Sequence, residues 1–324
     1  MPKAIQVHAY GGPEVMRYED VALPAPGPGQ IHVRQTAIGV NFIDIYFRSG
    51  AYKAPQLPFI PGKEGAGVIV ALGEGVTDFR VGERVAYGSA ASTYAEEVVI
   101  EASAAVHLAD DVDDKTAAAM MLKGLTAEYL LHRTYAVKPG DTILFHAAAG
   151  GVGLIACQWA KHLGATVIGT VGSAEKAELA RANGCDHVIL YRDEDFSARV
   201  REITGGKGVP VVYDGVGKDT FPASLDCISP LGLFVSFGSA SGPVDDFSLA
   251  LLGQKGSLYA TRPSLFAHAS KRETLDAMAK NLFSVVASGA VKIPVHSTAK
   301  LADVQQVHRD LAARKTTGAT VMIP

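Results

Sequence analysis

The stretch "FHAAAGGVG", Phe145 to Gly153, spaces Ala148, Gly150 and Gly153 as the pattern G-x-G-x-x-G spaces its glycines. That pattern serves the pyrophosphate of a dinucleotide. One position turns the chain, one lets the backbone approach phosphate, and one lets the following helix pack closely. Alanine in the first slot is compatible with a slightly wider turn. The amides near Gly151 and Val152 open a helix, where N–H groups and the helix dipole favour an anion. Taken alone, the same glycines suit a turn built only for helix–sheet packing equally well.

A second group follows in "GTVGSAEK". An acidic residue at the end of that strand would accept hydrogen bonds from an adenosine ribose. Gly172 and Ser173 hold that place instead, with Lys176 one turn into the next helix. A hydroxyl and a cation suit a 2′-phosphate, so the pattern favours NADPH over NADH, and Glu175 reads as a solvated helix residue. Tyr191, at the end of the third strand, is placed to cover that phosphate. "SAEK" also fits S-x-x-K, but no S-D-N or K-T-G follows to complete a penicillin-binding site.

The elements that must position these residues alternate. Strands at "TILFHA", "TVIGTV", "HVILY", "VPVVYDG" and "GLFVSFGS" are separated by helices in "GVGLIACQWAKHLG", "SAEKAELARAN" and "EDFSARVREIT", which implies parallel pairing with crossover helices. Val152, Ile155, Trp159 and Leu163 share one apolar helix face. From residue 1 to about 120 the text is short β-type runs broken by Pro and Gly, a compact β-rich unit. Beyond "SLYATRP" a long helical pattern and "VKIPVH" are expected to return to that first unit. "GSLYATR" reads as a late edge strand, whose unpaired backbone groups would serve a second copy of the chain.

Composition bounds the function. A length of 324 residues with 48% hydrophobic side chains exceeds what one core usually supports, so two domains are expected. The formal charge of −3, without long runs of one sign, gives no reason to expect nucleic acid or a membrane surface as partner. Cys157, Cys185 and Cys227 match no metal-ligand or disulfide-framework spacing and suit a reducing cytoplasm. No apolar run approaches the ~18 residues a membrane span needs. The expectation is a soluble cytoplasmic protein that handles small molecules.

At "NFIDIYFRSG", "LKGLTA", "HAAAGGVG" and "VVYDGVG", in that order and spacing, the sequence resembles the zinc-independent quinone oxidoreductases (zeta-crystallin-like) of the medium-chain dehydrogenase/reductase superfamily. The resemblance covers essentially the whole chain. It implies an α/β fold in which a doubly wound Rossmann domain, residues 124–262, is inserted into a GroES-like β-barrel catalytic domain, residues 1–123 and 263–324. It also implies NADPH in the interdomain cleft and a homodimer. Alcohol-oxidising members of the superfamily carry a zinc-binding Cys in the region of Gly39 to Asp44 and a His after the glycine of "PGKEGAG". Here the first region is "GVNFID", and Lys63 stands in the histidine's place, so no metal is expected.

The same resemblance puts Asn41, Phe42 and Tyr46 beside the nicotinamide, with Thr126 and Tyr129 facing it. Gly151 and Val152 would hold the pyrophosphate. Gly172, Ser173, Lys176, Tyr191 and Arg314 would meet the adenosine end, Phe237, Gly238 and Ser239 the nicotinamide half, and Gly215 would line the cleft. Tyr46, Tyr52, Asn41 and Arg262 form the expected catalytic set. A phenol holds its proton at neutral pH and can donate it, Asn41 can orient the carboxamide or a substrate oxygen, and Arg262 can steer an anionic product. The expected reaction is metal-free reduction of a soluble quinone by NADPH. The alternatives are NADPH-dependent reduction of an enone or alkenal double bond, and a non-catalytic NADPH-binding structural or RNA-associated role.

Overall fold

The strand "QIHVRQTAIG" sets the pattern of the first part of the chain: Ile31, Val33, Gln35 and Ala37 alternate into the interior, as period-two side chains on a pleated strand must. In the computed structural model, which describes residues 1–324, this is β3 (Gln30–Gly39), preceded by the ribbon β1 (Lys3–Val7) and β2 (Met16–Asp20). It is followed by β4 (Glu64–Leu72), β5 (Arg84–Tyr87), β6 (Glu97–Glu101) and β7 (Val106–His107). Two antiparallel partners share β3, with Val33 opposite both Ile69 of β4 and Val98 of β6.

A helix that the β-rich reading lacked, α1 (Phe42–Ser49), interrupts this region. Its start is fixed because Asp44 Oδ2 accepts the Asn41 backbone N–H at 2.9 Å, and it stops at Gly50, whose φ of 81° is left-handed. Next, α2 (Asp114–Glu128) runs into a π-helical turn, Tyr129–Thr134.

The alternating region follows as β8 (Thr142–His146), α3 (Gly151–His162), β9 (Thr166–Val171), α4 (Ala174–Ala182), β10 (His187–Leu190), α5 (Phe196–Ile203), β11 (Val209–Asp214), α6 (Ala223–Asp226), β12 (Ile228–Ser236), α7 (Leu249–Gln254), β13 (Tyr259–Thr261) and α8 (Leu265–His268). The six strands are all parallel and lie in the order β10-β9-β8-β11-β12-β13. Numbered along the chain this is 3-2-1-4-5-6, the Rossmann order, whose direction reverses between β8 and β11. Buried Leu144, Ile168, Val200, Val212 and Phe234 knit strands and crossover helix into one core.

The tail consists of α9 (Arg272–Ala287), β14 (Val295–Lys300), α10 (Val304–Ala312) and β15 (Ala319–Ile323). Pairing of Val321 in β15 with Gly39 in β3 adds the last strands to the first sheet, in the order β14-β15-β3-β4-β5-β7 with β6 also on β3. Two compact units result. One comprises Met1–Leu125, Ala269–Lys280 and Ile293–Pro324, and the other Thr126–His268 and Asn281–Lys292. No helix is long and apolar enough to cross a membrane.

Candidate active site

In the parallel-sheet unit, the turn Ala147–Gly150 follows the end of β8, Gly172 the end of β9, Gly215 the end of β11 and Phe237–Ser239 the end of β12. Because the strands are parallel and in register, with His146 opposite Thr170 and Asp214 opposite Ser236, these segments share the carboxyl edge of the sheet. That edge, at the reversal of strand order, is where open α/β sheets bind ligands.

The fingerprint turn is built differently from its glycine-led version. The left-handed residue is Ala147, at φ 55°, and Ala148 itself is buried with no such strain. Gly150 N–H closes the turn on Ala147 O at 2.9 Å, and the first bond of α3 runs from Leu154 N–H to Gly150 O. The N–H groups of Gly151, Val152 and Gly153 therefore precede the helical ladder and present donors at a positive helix end. Gly153 is there for space: a Cβ on it would lie 2.5 Å from Ala147 O and 2.6 Å from Ala148 O.

At the adenosine end, Ser173 caps α4 by accepting the Lys176 backbone N–H at 3.4 Å, which leaves the lysine side chain on the helix's first turn. A Cβ on Gly172 would meet the Tyr191 hydroxyl at 3.0 Å and Arg192 Nε at 3.4 Å. The missing side chain lets the backbone at Gly172 lie close to a phenol and a guanidinium, two groups that can donate hydrogen bonds at the end of β9. Arg192 is a residue that the sequence reading missed; its signal is a cation directly after the strand-ending "HVILY". Arg314 lies in the other unit, just beyond α10, at φ 56°.

The nicotinamide-side loops are held from beneath. Asp214 Oδ1 accepts the N–H groups of Val216 and Gly217 at 2.8 and 3.0 Å, and Oδ2 takes the hydroxyls of Thr220 and Ser224. With its proton on Asp214, the Ser224 oxygen accepts from His146 Nε2 at 3.0 Å, while His146 Nδ1 accepts from Thr170 at 2.8 Å. Burial lowers the His146 pKa, opposed by Asp214. His146 thus braces β8 to β9 and, through Ser224, to α6. Gly215 packs under Phe237, whose ring carbon would be 2.8 Å from an added Cβ, and Gly238 lies against the Gly215 carbonyl. Arg262 Nη1 donates to the Ser236 and Gly238 carbonyls, and Nη2 to Ser239 Oγ, so it shapes the β12 loop. In the same unit Thr126 lies one turn before Tyr129, whose ring stacks on His268 at 4.6 Å between centroids.

In the barrel unit, α1 and the turn that follows it bring Phe42, Tyr46 and Tyr52 together. Tyr46 is 6.3 Å from Phe42 and 5.2 Å from Tyr52 between ring centroids. Asn41 sits at the helix start with its Nδ2 donating to Glu64 Oε2 at 2.8 Å. Glu64 is itself fully buried, takes the Leu122 N–H at 2.7 Å, and receives Lys123 Nζ at 2.6 Å. Sequence reasoning passed over this pair; a lysine inside the apolar helix run "AAAMMLKGLTA" was its signal. Below α1, Tyr94 donates to Asp44 at 2.8 Å, and His308 connects Tyr94 to Arg48. Burial raises the Asp44 pKa to about 7, and burial lowers that of His308 to about 3. No group of three or more His, Cys, Asp or Glu side chains converges.

Fold and edge together define a dinucleotide-binding oxidoreductase architecture. Residues 27–141 match the family model "Alcohol dehydrogenase GroES-like domain" and residues 151–280 the model "Zinc-binding dehydrogenase". A quinone oxidoreductase of Pseudomonas aeruginosa is 54% identical over 100% of both chains. A 2-haloacrylate reductase of a Burkholderia species is 46% identical over 100% of this chain and 99% of its own. The crystal structure of Escherichia coli quinone oxidoreductase complexed with NADPH matches with a TM-score of 0.96 at 47% identity, covering 99% of this chain and 100% of that one. The chain belongs to the quinone oxidoreductase family of the medium-chain dehydrogenase/reductase superfamily.

Proposed function

We propose that this protein is an NADPH:quinone oxidoreductase that reduces soluble quinones without a metal. The observation that carries the cofactor assignment is the carboxyl edge of the parallel sheet, with the Gly151–Gly153 amides for pyrophosphate, and Tyr191 and Arg192 close to Gly172, with Lys176 on the first turn of α4, for a 2′-phosphate. NADPH, when bound, supplies the reducing equivalents. On the family resemblance we assign Phe237, Gly238, Ser239, Thr126 and Tyr129 of the parallel-sheet unit, and Asn41, Phe42 and Tyr46 of the barrel unit, to its nicotinamide half, Gly215 to the cofactor cleft, and Arg314 to the adenosine end.

Alcohol oxidation needs a Lewis acid to ease loss of the hydroxyl proton. The residues that would ligate one are replaced, with Lys63 standing in a histidine's place. A quinone needs less, because it is electron-poor and becomes an aromatic hydroquinone. The protein's part is to align two flat rings, exclude water and offer a proton to the developing oxygen anion. We assign the proton to the hydroxyl of Tyr46 or Tyr52, the orienting hydrogen bond to Asn41, and support of the β12 loop and of an anionic product to Arg262.

The similarity to a 2-haloacrylate reductase supports a second reading, reduction of an activated C=C bond in the same site. Product analysis separates hydroquinone from saturated product. We further place the protein in the cytoplasm as a homodimer. One of the two outer strands of the parallel sheet is β13, and Tyr259 upon it and neighbouring Leu231 are 63% and 67% exposed. A monomeric mass by light scattering at micromolar concentration would count against the dimer.

A further inference from the structure

The barrel unit contains a cavity of about 400 Å³, within the range of small-ligand pockets. Its walls are mostly apolar, with Phe47, Phe59 and Ile60 among them, and Gln6 and Ser92 add neutral hydrogen-bonding groups. One lining residue is ionisable: Lys63. Its ammonium lies 4.9 Å from the centroid of the Phe47 ring, so the cation sits against an aromatic face that forms the same wall. Ser92 holds its backbone at φ 61°, a conformation that costs free energy in a non-glycine residue and clusters at ligand sites.

The cavity adjoins the tyrosines assigned to the acceptor. Phe47 follows Tyr46 in α1 and packs edge-on against Tyr52, 5.7 Å between centroids. Phe47 is therefore shared by the cavity wall and the aromatic cluster. Burial pulls the lysine pKa below its ordinary value, with Asp44 opposing. An anion entering the cavity would gain a direct charge-assisted hydrogen bond from the ammonium.

We propose that this pocket binds the anionic group of a conjugated acceptor, a carboxylate or sulfonate on a planar unsaturated body, with Lys63 as the residue that selects for the negative charge. The apolar walls take the planar body and the ammonium takes the charge. The proposal rests on the assignment of Tyr46 and Tyr52 to the acceptor, and it adds a preference, among quinones, for those carrying a negative substituent.

The test uses the full chain and two arms. In the kinetic arm, 1,4-naphthoquinone and its 2-sulfonate are compared as acceptors for wild type, Lys63→Met and Lys63→Arg. We expect Lys63→Met to raise KM for the sulfonate about tenfold more than for the parent, and Lys63→Arg to retain most of the wild-type ratio. An unchanged KM ratio in Lys63→Met overturns the proposal. In the binding arm, calorimetric titration with naphthalene-2-sulfonate, which cannot be reduced, requires no turnover. Affinity lost in Lys63→Met and kept in Lys63→Arg supports the pocket even if neither quinone is reduced, an outcome that would remove the quinone reading alone. Equal affinity in all three proteins overturns the pocket.

Discussion

Lys123 Nζ donates to Glu64 Oε2 across 2.6 Å, with 6% and 0% of the two side chains exposed. The same carboxylate oxygen accepts from Asn41 Nδ2, so the pair fixes which way the Asn41 amide faces. Replacing Lys123 by Met leaves a buried, uncompensated carboxylate and should cost about 3–5 kcal/mol. The double replacement, Lys123→Met with Glu64→Gln, should recover part of that loss. It should also lower kcat, because a Gln amide facing Asn41 turns the Asn41 amide around. Denaturant unfolding of the three variants checks the first statement, and full recovery of kcat in the double variant would refute the second.

Asp44 gives a pH dependence whose sign is fixed by burial. Its carboxyl titrates near 7 in the fold against an ordinary 3.8. Between those values the folded state holds a proton that the unfolded state has released, so this group's contribution to stability falls as pH rises, then levels above about pH 7. In Asp44→Asn that slope is absent. The variant should gain on wild type between pH 5 and pH 7 by up to about 1.4 kcal/mol per pH unit. Urea unfolding at pH 5, 6, 7 and 8 measures it, and a difference that stays constant across the series contradicts the assignment.

The fingerprint turn supplies a pair of opposed predictions. Ala147 carries the left-handed φ of 55° and is exposed, so Ala147→Gly should raise stability by about 1 kcal/mol once glycine's own entropy cost is subtracted. Gly153→Ala drives a methyl into two carbonyl oxygens and should lower stability by about 1–3 kcal/mol and weaken NADPH binding. Thermal unfolding and a fluorescence titration of NADPH test both, and a stable Gly153→Ala protein of unchanged affinity would be incompatible with the turn described.

Cofactor choice tests the adenosine end. Lys176→Ala and Arg192→Ala should each weaken NADPH about tenfold or more while altering NADH little, as expected for loss of one charge-assisted hydrogen bond to phosphate. Parallel titrations with the two cofactors decide it. If the preference for NADPH survives both substitutions, Lys176 and Arg192 do not hold the 2′-phosphate.

The alternating half of the chain was largely legible in its sequence, because strands buried on both faces read as unbroken runs such as "TVIGTV" and each turn carries its own glycine or cap. Helix α1 was not, because its eight residues lie in a β-rich context and are specified by the Asn41–Asp44 cap and by burial of Asp44 and Arg48. Long-range pairings were hidden for a related reason. Glu64 and Lys123 are 59 residues apart, and nothing local marks either as buried. Arg192 needed the neighbouring strand to bring it to Gly172. What sequence spacing conveys well is the shape of one turn; what it omits is which distant side chain closes over it.

Central to the account is reduction of a quinone by NADPH on this chain. Stopped-flow mixing of the protein with NADPH and 1,4-naphthoquinone, followed through NADPH absorbance, should show oxidation well above the uncatalysed background, one hydroquinone formed per NADPH consumed, and a much slower reaction with NADH at the same concentration. A rate equal to the protein-free control, with NADPH bound, would contradict it.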